Sequence, residues 1–237
     1  YTLSILGLVT GYLGAILMAF QRDVKRLLAY STISHIGILF TVLAAGASVY
    51  SWRIAALAIS ALLFHMVTHA IGESLLFLGL GSFATIAGSK RLDSMAGYGR
   101  LYPCMGLAIA VGAMSLLGVI PLAGFFSKYM LFLAMLEAGL LAHAVSIILI
   151  SGISAIGYFR IVYTLFMLEP RERGKTRLVG ASSVCMLMAI VLAALGIAFI
   201  AGYIMEPLIN GVSNTITEQG VVNYIQAVNE LAKMLSG

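Results

Sequence analysis

A polytopic, all-α membrane bundle is what this sequence encodes, and three features point to it. Hydrophobic residues make up 61% of the 237 positions and charged ones only 10%, against about 45–50% and about 25% in soluble domains. Apolar runs near or above the roughly 20 residues that cross a 30 Å hydrocarbon core follow one another along the chain. Short polar breaks separate them, and positive charge gathers in every second break. Together these predict about six transmembrane helices, near residues 2–20, 24–46, 54–86, 104–136, 142–168 and 178–205.

The first run opens at Tyr1 and lacks the basic n-region and small-residue cleavage site of a signal peptide, so a segment of a longer polypeptide is expected. The second follows the basic loop 21–26 and carries His35 within Ser31-Thr32-Ile33-Ser34-His35. The third is longer than a straight crossing needs and holds His65, His69 and Glu73 deep in apolar sequence. The fourth contains Gly118-Val119-Ile120-Pro121-Leu122-Ala123-Gly124. Proline lacks a backbone donor and glycine weakens the helical ladder, so Gly118, Pro121 and Gly124 predict a discontinuous helix broken at mid-membrane. Lys128 comes just after that break. In the fifth helix Arg160 falls near the end where anchoring to the interface suits it.

After the sixth run the composition changes, which divides the chain into a membrane domain, 1–205, and a polar tail, 206–237. Within the tail, Val221, Val222, Ile225, Val228, Leu231 and Leu235 recur at helical spacing and predict an amphipathic helix lying on the membrane or on a partner. Loops 21–26, 87–103 and 169–177 are each net positive, and the positive-inside rule puts them in the cytoplasm and the tail on the outer side. Cys104 and Cys185 stand alone, without CxxC, haem-attachment or zinc-ligand spacing, and read as packing residues. The net charge of +5 is spread over loops rather than one face, which argues against nucleic acid as a partner.

His65, His69 and Glu73 are spaced i, i+4, i+8, which stacks them on one helix face about 6 Å apart along the axis. An ionised side chain at the bilayer centre costs roughly 2.5–3.5 kcal/mol even on the lenient insertion scale. Glu73 and Lys128 should therefore face the protein interior rather than lipid. Imidazole both accepts and donates protons near neutral pH, so a column of such groups suits a proton relay. The bland alternative is interhelical hydrogen bonding. It competes evenly for His35 and less well for two histidines and a carboxylate on one face, with a mid-membrane lysine elsewhere. A metal site could use the two imidazoles and the carboxylate, but the chain offers no HExxH motif and no nearby thiolate. A b-type haem needs histidines from facing positions rather than neighbours on one face.

Three segments carry a wider likeness: Asp23-Val24-Lys25-Arg26-Leu27-Leu28-Ala29-Tyr30-Ser31-Thr32-Ile33-Ser34, His65-x-x-x-His69 leading into Leu75-Leu76-Phe77-Leu78, and Pro121-Leu122-Ala123-Gly124-Phe125-Phe126-Ser127-Lys128. In that order they resemble the antiporter-like subunits shared by complex I, membrane-bound hydrogenases and Mrp-type sodium/proton antiporters. The resemblance covers nearly the whole chain up to the tail. It implies the second of the family's two inverted five-helix repeats plus one helix, with Lys128 as the terminal lysine on the broken helix and His65 and His69 as relay histidines. His35 matches a position that is often polar. It also implies a subunit without cofactor or redox centre of its own, working with other membrane subunits, such as a homologous antiporter-like one or the first repeat, in a prokaryotic cytoplasmic membrane. Protons, or sodium exchanged for protons, would be the cargo. Glu73 departs from the pattern, since many relatives carry lysine one turn after the second histidine. The runner-up reading is a non-conducting membrane scaffold that keeps the motifs and only docks partners.

Overall fold

The structure, a computed structural model, describes residues 2–46, 51–170 and 179–217, and in the tail Val222 and Gln226. Most of the amphipathic tail segment read from the sequence, and most of the basic loop 169–177, lie outside the described residues. Among the described residues the regular elements are all helical: α1 Thr2–Phe20, α2 Val24–Gly46, α3 Trp52–Ala87, a 3-10 turn Leu92–Met95, α4 Tyr98–Leu101, α5 Pro103–Leu117, α6 Ala123–Glu137, α7 Leu141–Phe166, α8 Val179–Ile200 and α9 Met205–Ile216. Five of these, α1, α2, α3, α7 and α8, are each long and apolar enough to cross a membrane, and the segment 92–101 turns through 118° into α5.

The entry to α2 shows how local chemistry fixes an element. Asp23 Oδ1 accepts the backbone N–H groups of Lys25 at 2.9 Å and Arg26 at 3.2 Å, satisfying donors that a helix start leaves free. The same loop pairs with the next one: Val24 N donates to Lys90 O and Leu92 N to Arg22 O, both at 2.9 Å. Two of the three basic loops are thus tied together at one end of the bundle.

Small residues set the packing of α1 on α2. Gly7, Gly11 and Gly14 line the buried face of α1, and a Cβ added at Gly37 would collide with the backbone of Gly11. Without a hydrophobic drive between helices in lipid, such close backbone approach is the main source of association.

Helix α3 runs through the middle, packed against α2, α5, α6, α8 and α9. Its 36 residues give a rod of about 54 Å, so it reaches well beyond a straight 30 Å crossing. The fourth predicted helix is divided as expected. α5 and α6 have 15 residues each, about 22 Å apiece, separated by Gly118–Leu122. Gly118 closes α5 in the left-handed region, with φ 95, where a side chain would be strained. Its N–H donates to Met114 O and Ser115 O, both at 3.0 Å. α8 lies across the break, where Gly196 comes so close to the Pro121 carbonyl that a Cβ has no room.

One element departs from the sequence reading. α8 ends at Ile200, short of residue 205, and a further helix, α9, occupies the start of what reads as polar tail. Met205, Leu208 and Ile209 of α9 pack against the bundle, Ser60 Oγ donates to Leu208 O at 3.3 Å, and Glu206, Asn210 and Asn214 are exposed. Too few apolar residues for a span are still enough for a one-faced helix on the bundle surface.

Candidate functional site

Four helices bring their polar side chains to one buried line. α3 supplies His65, His69 and Glu73, all buried, α2 supplies Ser31 and His35, α7 supplies Tyr158 and α6 supplies Ser127. Glu73 Oε1 accepts a hydrogen bond from Ser31 Oγ. Ser31 Oγ also pairs with Tyr158 OH at 2.6 Å, and Tyr158 OH lies 3.4 Å from His35 Nε2. From there His35 Nδ1 pairs with His65 Nε2 at 2.9 Å, and His65 Nδ1 with Ser127 Oγ at 2.9 Å. The chain is unbroken from the carboxylate on α3 to the hydroxyl beside Lys128.

Lys128 itself stands at the helix break. Its Nζ donates to Leu116 O at 2.6 Å and Leu117 O at 3.3 Å, carbonyls that the end of α5 leaves without an intrahelical donor. The negative pole of the α5 C-terminus suits an ammonium group there. Gly118 gives the lysine room: the nearest atom to a Cβ built on it is Lys128 Cδ. Gly124 N donates to Ser115 Oγ at 3.2 Å, which ties the start of α6 back to α5.

His69 takes a different place from its neighbours. Its ring stacks on His35 with centroids 4.3 Å apart and lies 5.9 Å from His65, yet both of its nitrogens are buried without a hydrogen-bond partner. Its Nε2 is 3.9 Å from Glu73 Oε1, and Glu73 Oε2 also lacks a partner. The sequence reading strings the relay along α3 through His65, His69 and Glu73. In the structure the hydrogen-bonded route leaves α3 at Glu73, passes through α2 and α7, and returns at His65, with His69 beside it.

His35, His65 and His69 also form the group, among the described residues, whose ligand atoms could gather round a metal ion, all lying within 4.8 Å of one another. The rings are within 28° of parallel. Lone pairs point along the plane of an imidazole, so stacked rings do not converge on one ion without turning. In place His35 and His65 address each other and His65 addresses Ser127, while His69 has no hydrogen-bond partner.

Ser31, Ser127 and Tyr158 are members of the buried line that the sequence reading did not single out. The available signal was weak: buried hydroxyls on apolar helices at the depth of the histidines. Ser34 and Ser154, paired at 3.3 Å, extend the polar seam between α2 and α7. Arg160 is not a bare interface anchor, since its Nη1 donates to Ala19 O at 2.7 Å and so caps the end of α1.

Known proteins resemble this chain in sequence and in fold. The family described as "NADH:quinone oxidoreductase/Mrp antiporter, TM" matches residues 1–157. Among curated relatives, NADH-quinone oxidoreductase subunit N of Paramagnetospirillum magneticum is 32% identical over 168 residues, which are 68% of this chain and 32% of that protein. The chain thus spans about a third of that relative's length. A chain of respiratory complex I from Thermus thermophilus superposes with a TM-score of 0.69 at 27% identity, covering 86% of this chain and 44% of the other. A chain of the Mrp complex from Dietzia sp. DQ12-45-1b shares the fold, with a TM-score of 0.79 at 20% identity over 96% of this chain and 48% of the other.

Proposed function

The chain belongs to the NADH:quinone oxidoreductase/Mrp antiporter transmembrane family, and on that premise we propose that it carries protons through the membrane as a subunit of a larger, redox-driven or antiporter assembly. The observation that carries this reading is the unbroken hydrogen-bonded line from Glu73 to Ser127, ending beside a lysine on a broken helix. Each of its imidazoles is entered at one nitrogen and left at the other. With Ser31 donating to Glu73, the hydroxyls of Ser31 and Tyr158 point toward the carboxylate. Once they turn, a proton arriving at His35 Nε2 from Tyr158 releases another from Nδ1 to His65 Nε2, and His65 Nδ1 passes one to Ser127. A neutral imidazole has one donor and one acceptor nitrogen, so every step exchanges tautomers without building up charge. Glu73 receives protons from the cytoplasmic side, and Lys128, held by the α5 carbonyls, takes them at the break and gives them up toward the other side.

The line is made of groups that both give and accept protons, which favours protons over sodium as cargo; flux that ignores sodium concentration is the expected result. Other membrane subunits, a homologous antiporter-like one among them, complete the pathway. In the assembled complex reconstituted in liposomes, Lys128→Ala is expected to abolish proton pumping while leaving subunit composition unchanged. Normal pumping in that variant would return the chain to the role of a non-conducting scaffold.

A further inference from the structure

The hydrogen-bonded line ends at Ser127, whose Oγ donates to Gly124 O at 3.0 Å, and the next residue, Lys128, borders a cleft. A cleft of about 250 Å³ lies between α6 and α7, bordered by Lys128, Gly118, Phe132, Ile147 and Ser151 and opening past the exposed Tyr129 and Ile148. A water in liquid takes about 30 Å³, so several fit. Lys128 and Ser151 lie nearly equally far in sequence from the turn at Gly139 that joins the two antiparallel helices, which puts them at one depth. Ser151 borders the same space as Lys128, and its Oγ is buried without a hydrogen-bond partner. Two turns nearer the α6–α7 end, on the same face of α7, His143 Nδ1 is likewise buried and partnerless, while the residue as a whole is half-buried. Spaced i, i+4, i+8, His143, Ile147 and Ser151 stack about 6 Å apart, and Glu137 is exposed at the adjoining end of α6.

Resting on the proton-carrying role of Lys128, we propose that His143 and Ser151 form the exit from that lysine: a proton leaves the ammonium group for water in the α6–α7 cleft, passes the Ser151 hydroxyl and is taken up by His143, which releases it at the membrane surface. The proton moves without electron transfer. Lys128 becomes a neutral amine and is recharged from the histidine line. Buried hydroxyl and imidazole atoms are costly to leave unpaired, and water entering from the cleft beside Lys128 supplies the partners that the surrounding side chains do not.

The test uses the complete complex in liposomes, with Lys128→Ala as reference. Ser151→Cys is expected to react with a membrane-impermeant, cationic thiol reagent added on the face that bears the α6–α7 turn, above the background of the parent complex, and not from the opposite face. His143→Leu combined with Ser151→Ala is expected to lower proton flux at least tenfold with the complex intact. A Ser151→Cys thiol that stays unreactive from that face overturns the exit route. So does parental flux in the double variant while Lys128→Ala is inactive, and both results leave the role of Lys128 standing. Parental flux in Lys128→Ala removes the exit and the proton-carrying reading together.

Discussion

Where α1 meets α2, glycine meets glycine; where α5 meets α6, a lysine fills the gap. Both contacts lie within a bundle that must satisfy its backbone polar groups internally, because hydrocarbon offers no hydrogen bonds. In α1 and α2 the ladders are continuous, and Gly7, Gly11 and Gly37 let the two backbones touch. Between α5 and α6 the ladder stops at Gly118, and the carbonyls of Leu116 and Leu117 accept hydrogen bonds from Lys128 Nζ. The difference teaches that one membrane fold uses glycine in two ways: to weld two helices into a dry wall, and to open a helix so that a charge can stand inside the membrane.

The comparison can be broken most forcefully at the weld. Gly37→Leu forces apart backbones that have no room for a side chain, since its Cβ would fall on the N and Cα of Gly11, and overpacking of that kind costs on the order of 3 kcal/mol. Loss of intact complex from detergent extracts, measured by size-exclusion chromatography, is the expected result. Recovery at parental yield would mean that the wall is not held by backbone contact.

On the wet side the expected effects are on flux rather than on assembly. Glu73→Gln keeps a side-chain oxygen for Ser31 but cannot ionise, and a fall in proton flux of at least about tenfold, equivalent to ~1.4 kcal/mol in the rate-limiting barrier, is expected with assembly unchanged. Unchanged flux would take Glu73 out of the path. Tyr158→Phe removes the hydroxyl that joins Ser31 to His35. One hydrogen bond is worth about 0.5–1.5 kcal/mol, so flux is expected to drop by a few-fold, up to about tenfold. Rates equal to the parent would show that protons go through His69 instead. The smallest effect belongs to the loop that caps α2: Asp23→Ala removes the acceptor for Lys25 N and Arg26 N. Stability should fall by about 1 kcal/mol, seen as a lower midpoint in thermal unfolding, while flux per complex stays at the parental level.

Much of this is legible in the sequence alone. The helix spans follow from apolar length, and the break at Gly118–Leu122 follows from proline chemistry and glycine, which act locally. Asp23 likewise announces α2 through its position before Val24. α9 was not legible, because a short helix held by one face against a bundle has no length signature. Nor was the route of the hydrogen-bonded line. His65, His69 and Glu73 share a face of α3 by periodicity, but which of them has a partner depends on the rotation and depth of α2, α6 and α7 against α3. Tyr158 and Ser31 are far apart in sequence and meet only through that packing.

By itself the sequence determined that this chain lives in a bilayer, where its helices lie, where one of them breaks and which ionisable groups must be hidden from lipid. These follow from hydropathy and backbone chemistry, which each residue carries with it. Only the tertiary structure decided that Ser31, Tyr158 and His35 bridge Glu73 to His65, that His69 stands aside, and that Lys128 caps the carbonyls of α5. Hydrogen bonds need partners within about 3 Å, and in a bundle that distance is set by how neighbouring helices pack, a property that no single stretch of sequence contains.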